Sequence, residues 1–397
     1  MPREHRYLKI LLHILYFLSG IATVLIGQVL PIMAKRFELN DLQLSDFFPA
    51  QFAGSILGTV GASRFGRRSG HIGAAFLGGL LMATGLAMMN VGSFYLCLLA
   101  FFVNGLGIGL TLPSINLVIL ELSGERTAAA LSLLNFCWGA GAILSKPFVD
   151  TFSGNDHLGL TTWLLAAPVL ILSLALIPSL SVNTHPPAAE EAIRDRVPIW
   201  TTSLAWMIAL FNFIHVGFES GIGGWLTTYT GRVDGAPLLP WLSPTLLYFS
   251  FFVIGRGVAP GLFRVFSENV MLILGLLIVL VGMLIILAAP NVPLLSVGAV
   301  LSGIGTSWIF PTNVARFSRV FGATASRRAT PLFIAGTIGA ALSTRLIGYI
   351  SERSGSLHSG MYVLIISIVL LIVLQIALAL RTKKAPKPMS SGAVNGN

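Results

Sequence analysis

The sequence predicts an all-α integral membrane protein whose twelve transmembrane helices form two pseudo-symmetric six-helix bundles. Composition is the first observation: 55% of the 397 residues are hydrophobic and only 10% are charged, with a mean hydropathy of +0.84. Such a chain has too few polar groups to clothe a water-soluble fold of this size. The second is the recurrence of long apolar runs. A helix crosses ~30 Å of hydrocarbon with roughly 20 residues, and runs of that order fall near 8–33, 44–63, 72–91, 94–120, 128–152, 160–180, 200–229, 240–263, 269–289, 292–315, 329–350 and 359–380. The third is internal repetition. At a constant offset of 198 residues, Gly105, Gly107 and Pro113 match Gly303, Gly305 and Pro311, while Gly141, Ala142, Leu144 and Ser145 match Gly339, Ala340, Leu342 and Ser343.

A net charge of +10 invites comparison with nucleic-acid-binding proteins, but the distribution of the charge argues otherwise. With both termini placed in the cytosol, the inner side receives Arg3, Arg6, Lys9, Arg64, Arg67, Arg68, Arg126, Arg194, Arg196, Arg264, Arg316, Arg319, Arg327, Arg328, Arg381, Lys383, Lys384 and Lys387, which is 18 of the 25 basic residues. That asymmetry is the positive-inside signature of a multi-pass membrane protein, and the basic inner rim also attracts anionic lipid. The expected setting is the plasma (inner) membrane, as a monomer, with lipid and a small-molecule solute as partners and no nucleic acid. Charges precede the first apolar run without a cleavage signal after it, so span 1 is expected to be retained. Cys97 and Cys137 lie in apolar helices and read as small core residues.

Between residues 180 and 200 the apolar signal stops. The stretch SVNTHPPAAEEAIRDRVP is polar, mixed in charge and bracketed by prolines, so it reads as a linker. The expected organisation is an N-terminal bundle over 1–180, a cytosolic linker over 181–199, a C-terminal bundle over 200–381 and a disordered cytosolic tail over 382–397.

The chemistry concentrates in span 7, where GFESGIGGWLTTY places a carboxylate, Glu219, inside an otherwise apolar helix. An intramembrane charge is costly and faces a cavity or a partner. Asn212, His215 and Glu219 stand at helical steps of three and four, on one face. In span 1, His13, Tyr16, Gly20, Thr23 and Gly27 make a stripe polar enough to border water; in span 5, Ser132, Asn135, Gly139, Ala142 and Lys146 make another. At 1.5 Å per residue, Lys146 lies ~25 Å above the inner end of span 5 and Glu219 ~22 Å above that of span 7. The two are therefore expected to pair when an outer gate closes, unless Lys146 extends to the outer headgroups instead. Arg345, ~21 Å up span 11, is a second candidate partner for Glu219, and Arg256 in span 8 falls in the inner half, ~18 Å below the outer end.

Several of these motifs resemble the major facilitator superfamily. Between spans 2 and 3 the basic turn GASRFGRRSG aligns Arg64, Gly66, Arg67 and Arg68 with the superfamily's loop signature, with Ser63 where an aspartate is usual. The resemblance implies that Arg64, Arg67 and Arg68 latch the cytosolic ends of the two halves together; as residues alone they read equally as topology determinants. Lys146 precedes Pro147 where the superfamily often has a glycine and proline pair, and Arg256 in FFVIGRG resembles its glycine and arginine pair. The segment Tyr16 to Phe37 and the run NGLGIGLTLPSIN ending at Asn116 are similar to the fucose permease branch, although Gly27 and Leu112 replace its acidic residues. The spacing of Gly217, Glu219, Gly221, Trp225 and Tyr229 is similar to that of sugar-carrying fucose permease relatives and sodium-dependent glucose carriers.

The function expected from these observations is secondary active transport of a small polar solute, a monosaccharide first, by alternating access with proton or sodium coupling. Sugar hydroxyls need amide or carboxylate partners and a flat aromatic face, which points to Asn116, Asn135, Asn212, Thr23 and Trp225 for binding. Trp225 has a rival reading as an interfacial anchor. Glu219, His215, Lys146 and Arg345 form the coupling and ion-pair set, with Arg64, Arg67, Arg68 and Arg256 in gating. Efflux of amphipathic compounds and a non-transporting receptor or scaffold are the alternatives. No metal-ligand cluster, nucleophile triad or nucleotide loop is present in the sequence, so an enzyme with a resident cofactor is not expected.

Overall fold

The computed structural model describes residues 3–90, 92–123, 127–154, 157–180, 199–239, 241–321 and 329–384. Its helices are α1 (Arg3–Phe37), the five-residue α2 (Asp41–Ser45), α3 (Phe47–Met88), α4 (Phe94–Ser123), α5 (Thr127–Phe152), α6 (Thr161–Leu174), α7 (Ser203–Thr230), α8 (Pro244–Leu262), α9 (Glu268–Ala288), α10 (Val292–Thr306), α11 (Ile309–Phe321), α12 (Thr330–Ser354) and α13 (Leu357–Lys384). Twelve spans emerge because α3 supplies two and α10 with α11 make one. Among the described residues, ten helical segments are long and apolar enough to cross a membrane by length and hydropathy alone.

Local chemistry sets the boundaries. Asn40 caps α2 through a reciprocal box with Gln43, their side chains and backbone amides exchanging hydrogen bonds of 2.9 and 3.1 Å. Thr202 and Ser243 cap α7 and α8 by accepting from the amides of Ala205 and Leu246, and Asn291 does the same for α10 from Leu294. Gly355, with φ at 69°, closes α12 in the left-handed conformation that glycine adopts without strain.

Three expectations need correction here. The tight basic turn expected between spans 2 and 3 is narrower still: the backbone stays helical to Ser69 and breaks at Gly70, whose φ of 75° favours glycine. Span 10 is broken near Ser307 and Trp308, where the Trp308 indole donates to the Met271 carbonyl at 2.8 Å. The helix α13 runs to Lys384, three residues into the expected tail; a basic helix end such as Arg381 there complements the C-terminal dipole. Most of the expected linker, 181–198, and the rest of the tail, 385–397, lie outside the described residues.

The repeat read from the sequence becomes contact geometry. Gly105 of α4 packs on the backbone of Gln51 in α3, and its mate Gly303 of α10 packs on the backbone of Tyr248 in α8. Gly107 meets Gly78 and Met82, as Gly305 meets Gly275 and Val279; Gly141 meets Phe17, as Gly339 meets Phe213. A Cβ at any of these positions would enter the neighbouring backbone or side chain. Matched glycines therefore set the same helix approaches in both bundles, the small-residue packing expected where lipid offers no hydrophobic drive between helices.

Candidate functional site

The two halves close on each other at the outer end. Gly27 of α1 lies against the backbone of Gly223 and Gly224 in α7. Just above, Thr227 donates to the Gln28 side-chain carbonyl at 2.6 Å and shares a 2.9 Å hydrogen bond with Thr245. Higher still, α2 of the first half is gripped by two arginines of the second. Arg232 donates both terminal nitrogens to the Asp41 carboxylate, at 2.7 and 2.5 Å, and Ser351 bonds the same carboxylate. Arg345 donates to the Leu42 carbonyl and the Ser45 hydroxyl, both at 2.7 Å, and lies 3.2 Å from Asp46. Bidentate guanidinium–carboxylate contacts are among the stronger polar contacts a protein makes.

Beneath this seal sits Glu219. Its carboxylate lies 3.5 Å from Nε2 of His215, one turn earlier on α7, and its side chain keeps 24% exposure. The described state is therefore closed at the end that carries α2, with Glu219 partly exposed beneath that closure. Arg256 of α8 is the cation within electrostatic range of Glu219, and Tyr248, two turns before it, also feels the carboxylate. Arg256 is fixed by donating Nε to the Ser307 carbonyl at 3.1 Å and by the Phe252 ring, 4.0 Å from its guanidinium carbon. A charge at mid-membrane depth costs about 2.5–3.5 kcal/mol, and the nearby opposite charge offsets part of that for both groups.

The structure redraws the ion-pair set. Lys146 bonds Asp150 one turn further on its own helix instead of reaching Glu219. Arg345 serves α2 and Asp46 at the outer end. For Lys146 the reason is depth: α7 continues to Thr230, so Glu219 lies ~16 Å from that end, level with Arg256 at ~18 Å from the start of α8, whereas Lys146 is only ~9 Å from the end of α5. The same count sets Arg256 at the depth of Glu219.

The expected sugar-binding set does not assemble. Asn212 is buried and donates to the Leu332 carbonyl at 2.9 Å; Trp225 is fully buried, donates to the Thr344 carbonyl at 3.1 Å and faces Phe48 across the seal. Trp225 is thus neither a solute-stacking surface nor a headgroup anchor in this state. Thr23 donates to the Ser19 carbonyl within its own helix. Asn116 bonds the Tyr16 hydroxyl at 2.7 Å, and Asn135 is exposed, donating to the Leu131 carbonyl. His215 is the member of the coupling set that stays beside Glu219.

Arg64 and Arg68 are exposed and, with Gly61 and Phe65, line a shallow inner cavity of about 550 Å³. Among the described residues they have no hydrogen bond or ion pair. The side chain of Arg67 lies outside the described residues. The residues missed by sequence reasoning are Asp41, Asp46, Arg232, Ser351, Gln28 and Thr227. The capping box at Asn40 and Gln43 marks α2, but nothing in a single sequence links Asp41 to a residue 191 positions away.

Comparison with known proteins follows from this geometry. Among solved structures, the chain superposes on a bacterial homologue of the human lysosomal transporter Spinster, in an inward-facing and occupied conformation, with a TM-score of 0.79 at 14% identity, covering 99% of this chain and 100% of that one. It superposes on the nucleoside transporter NupG with a TM-score of 0.73 at 14% identity, covering 95% of this chain and 100% of NupG. Two curated relatives are 4-hydroxybenzoate transporters named PcaK: the protein of Pseudomonas aeruginosa is 25% identical over 62% of this chain and 55% of its own length, and that of Pseudomonas putida is 27% identical over 60% of this chain and 58% of its own. The matched part thus spans little more than half of those relatives. The Major Facilitator Superfamily profile matches residues 12–272, and with the paired bundles and closed outer end, this places the chain in that superfamily of membrane transporters.

Proposed function

We propose that the chain is a secondary active carrier that moves a small aromatic carboxylate by alternating access, with Glu219 as the group that couples solute movement to a proton or sodium ion. The observation that carries this reading is the pairing of a sealed outer end with a water-reaching carboxylate directly below it, beside His215 and Arg256. A carboxylate in that place changes charge as it exchanges a cation, and the charge change alters its interaction with Arg256. A ligand that interacts differently with two states shifts their balance, so occupancy and orientation become linked.

The aromatic acid is preferred to the monosaccharide on two grounds. The amide and indole groups that would hold sugar hydroxyls, Asn212 and Trp225, are bonded to backbone carbonyls inside the protein. The central site instead presents a guanidinium, and two of the similar proteins are named for 4-hydroxybenzoate, a ring bearing a carboxylate. The likeness to sugar carriers rests on a dozen residues around Glu219, most of which pack the seal.

The test is uptake into proteoliposomes carrying an imposed pH or sodium gradient, with labelled 4-hydroxybenzoate and labelled glucose and fucose offered separately. Gradient-driven accumulation of the aromatic acid and not of the sugars is expected. Glu219→Gln is expected to abolish accumulation against a gradient while leaving the protein folded. Unchanged concentrative uptake by that variant removes Glu219 from coupling, and sugar accumulation instead returns the monosaccharide reading.

A further inference from the structure

Resting on the aromatic-acid reading above, we propose that Arg256 is the binding site for the solute's carboxylate and that Glu219 is its competitor for the same guanidinium. The geometry around Arg256 is that of a fork held open. Its Nε is used on the Ser307 carbonyl at 3.1 Å, and one face is propped by the buried ring of Phe252 at 4.0 Å. Among the described residues, neither terminal nitrogen has a hydrogen-bond partner, and no ion pair joins Arg256 to any carboxylate. A guanidinium fixed at Nε presents its two terminal N–H groups side by side, which matches the two oxygens of a carboxylate.

Glu219 is close enough to be felt by Arg256 but not close enough to touch it. Its nearest basic contact is His215 at 3.5 Å. The gap leaves the fork to a third group arriving from the inner side. The contrast with the other intramembrane cations is informative: Lys146 is paired with Asp150, and Arg345 is fully engaged with α2. Arg256 alone of these three is both immobilised and unpaired.

Competition supplies the coupling. A deprotonated Glu219 attracts Arg256 and repels an arriving carboxylate. A proton, or a bound cation, on Glu219 removes both effects, so cation and solute anion bind together and each raises the affinity for the other by the same factor. The pair then enters the membrane with less net charge than the anion alone.

The experiment is exchange uptake of labelled 4-hydroxybenzoate by the full chain in proteoliposomes, across external pH, with unlabelled 4-hydroxybenzoate and its neutral isostere 4-hydroxybenzamide as competitors. For Arg256→Gln the half-saturating concentration of the acid is expected to rise at least tenfold, with competition by the amide little changed. Arg256→Lys, which keeps the charge but loses the fork, is expected to raise it at least threefold, and this variant decides the matter if the glutamine variant does not fold. Glu219→Gln is expected to retain exchange but to lose the pH dependence of half-saturation.

An Arg256→Lys or Arg256→Gln protein with unaltered concentration dependence for the acid overturns the anchor while leaving aromatic-acid transport standing. A wild-type protein that exchanges no aromatic acid overturns both. Equal losses for acid and amide also overturn the anchor, since a merely structural arginine would not distinguish them.

Discussion

Trp225 shows how a residue chosen for its chemistry finds its use in packing. Its indole is fully enclosed, bonded to the Thr344 carbonyl and set against Phe48 of the opposite half with ring centroids 6.1 Å apart. Truncating such a side chain leaves a cavity between the two halves. Trp225→Ala is expected to cost about 3–5 kcal/mol, read as a lowered unfolding midpoint in detergent. Lys146→Gln, by contrast, removes a pair made within one helix, with Asp150 half exposed, and is expected to cost about 0–1 kcal/mol with coupling intact. At this scale the sequence was legible where spacing along a single helix decided the answer. Glu219 and its neighbour His215 are read from one helix, because a turn fixes their distance. The nearness of Glu219 to Arg256 needed two helix ends placed correctly, and an error of a few residues in those ends set Lys146 level with Glu219 instead.

Among the elements, α2 is the smallest and the one that most clearly joins the halves. Five residues, capped by their own Asn40 and Gln43, present Asp41, the Leu42 carbonyl and Ser45 to Arg232, Arg345 and Ser351. Arg232 remains 44% exposed, so water takes up part of what is lost when its contact is removed. Arg232→Gln is expected to weaken outer closure by about 2 kcal/mol, roughly a 30-fold shift toward the open form. Thr228, buried one turn below Arg232, is the reporter: in a background without other cysteines, Thr228→Cys should react faster with an external membrane-impermeant thiol reagent once Arg232 is changed. An unchanged rate would mean that the glycine contact of Gly27 with Gly223 and Gly224 holds the end shut alone.

For the whole molecule, the described state predicts one-sided access. Asn135 is exposed on α5 below the seal, so Asn135→Cys is expected to label from the cytosolic side and to be protected from the outside, as compared in right-side-out and inverted vesicles. The architecture was the most legible feature, because membrane insertion demands long apolar helices and the glycine register at 198 residues had to produce equivalent helix contacts. The break at Ser307, the one-residue turn at Gly70 and the cross-half bonds were not, since each depends on which helices become neighbours.

The arginine grip on α2 faces only one of the two solutions that bathe the protein. Its charges are partly hydrated, with Arg345 and Asp46 each 36% exposed, and ions screen such pairs over a Debye length of ~10 Å at 0.1 M but ~3 Å at 1 M. High salt on that side of the membrane is therefore expected to weaken this closure, while salt on the opposite side leaves it untouched. A protein fastened this way has its resting state tuned by the solution on the side it closes against.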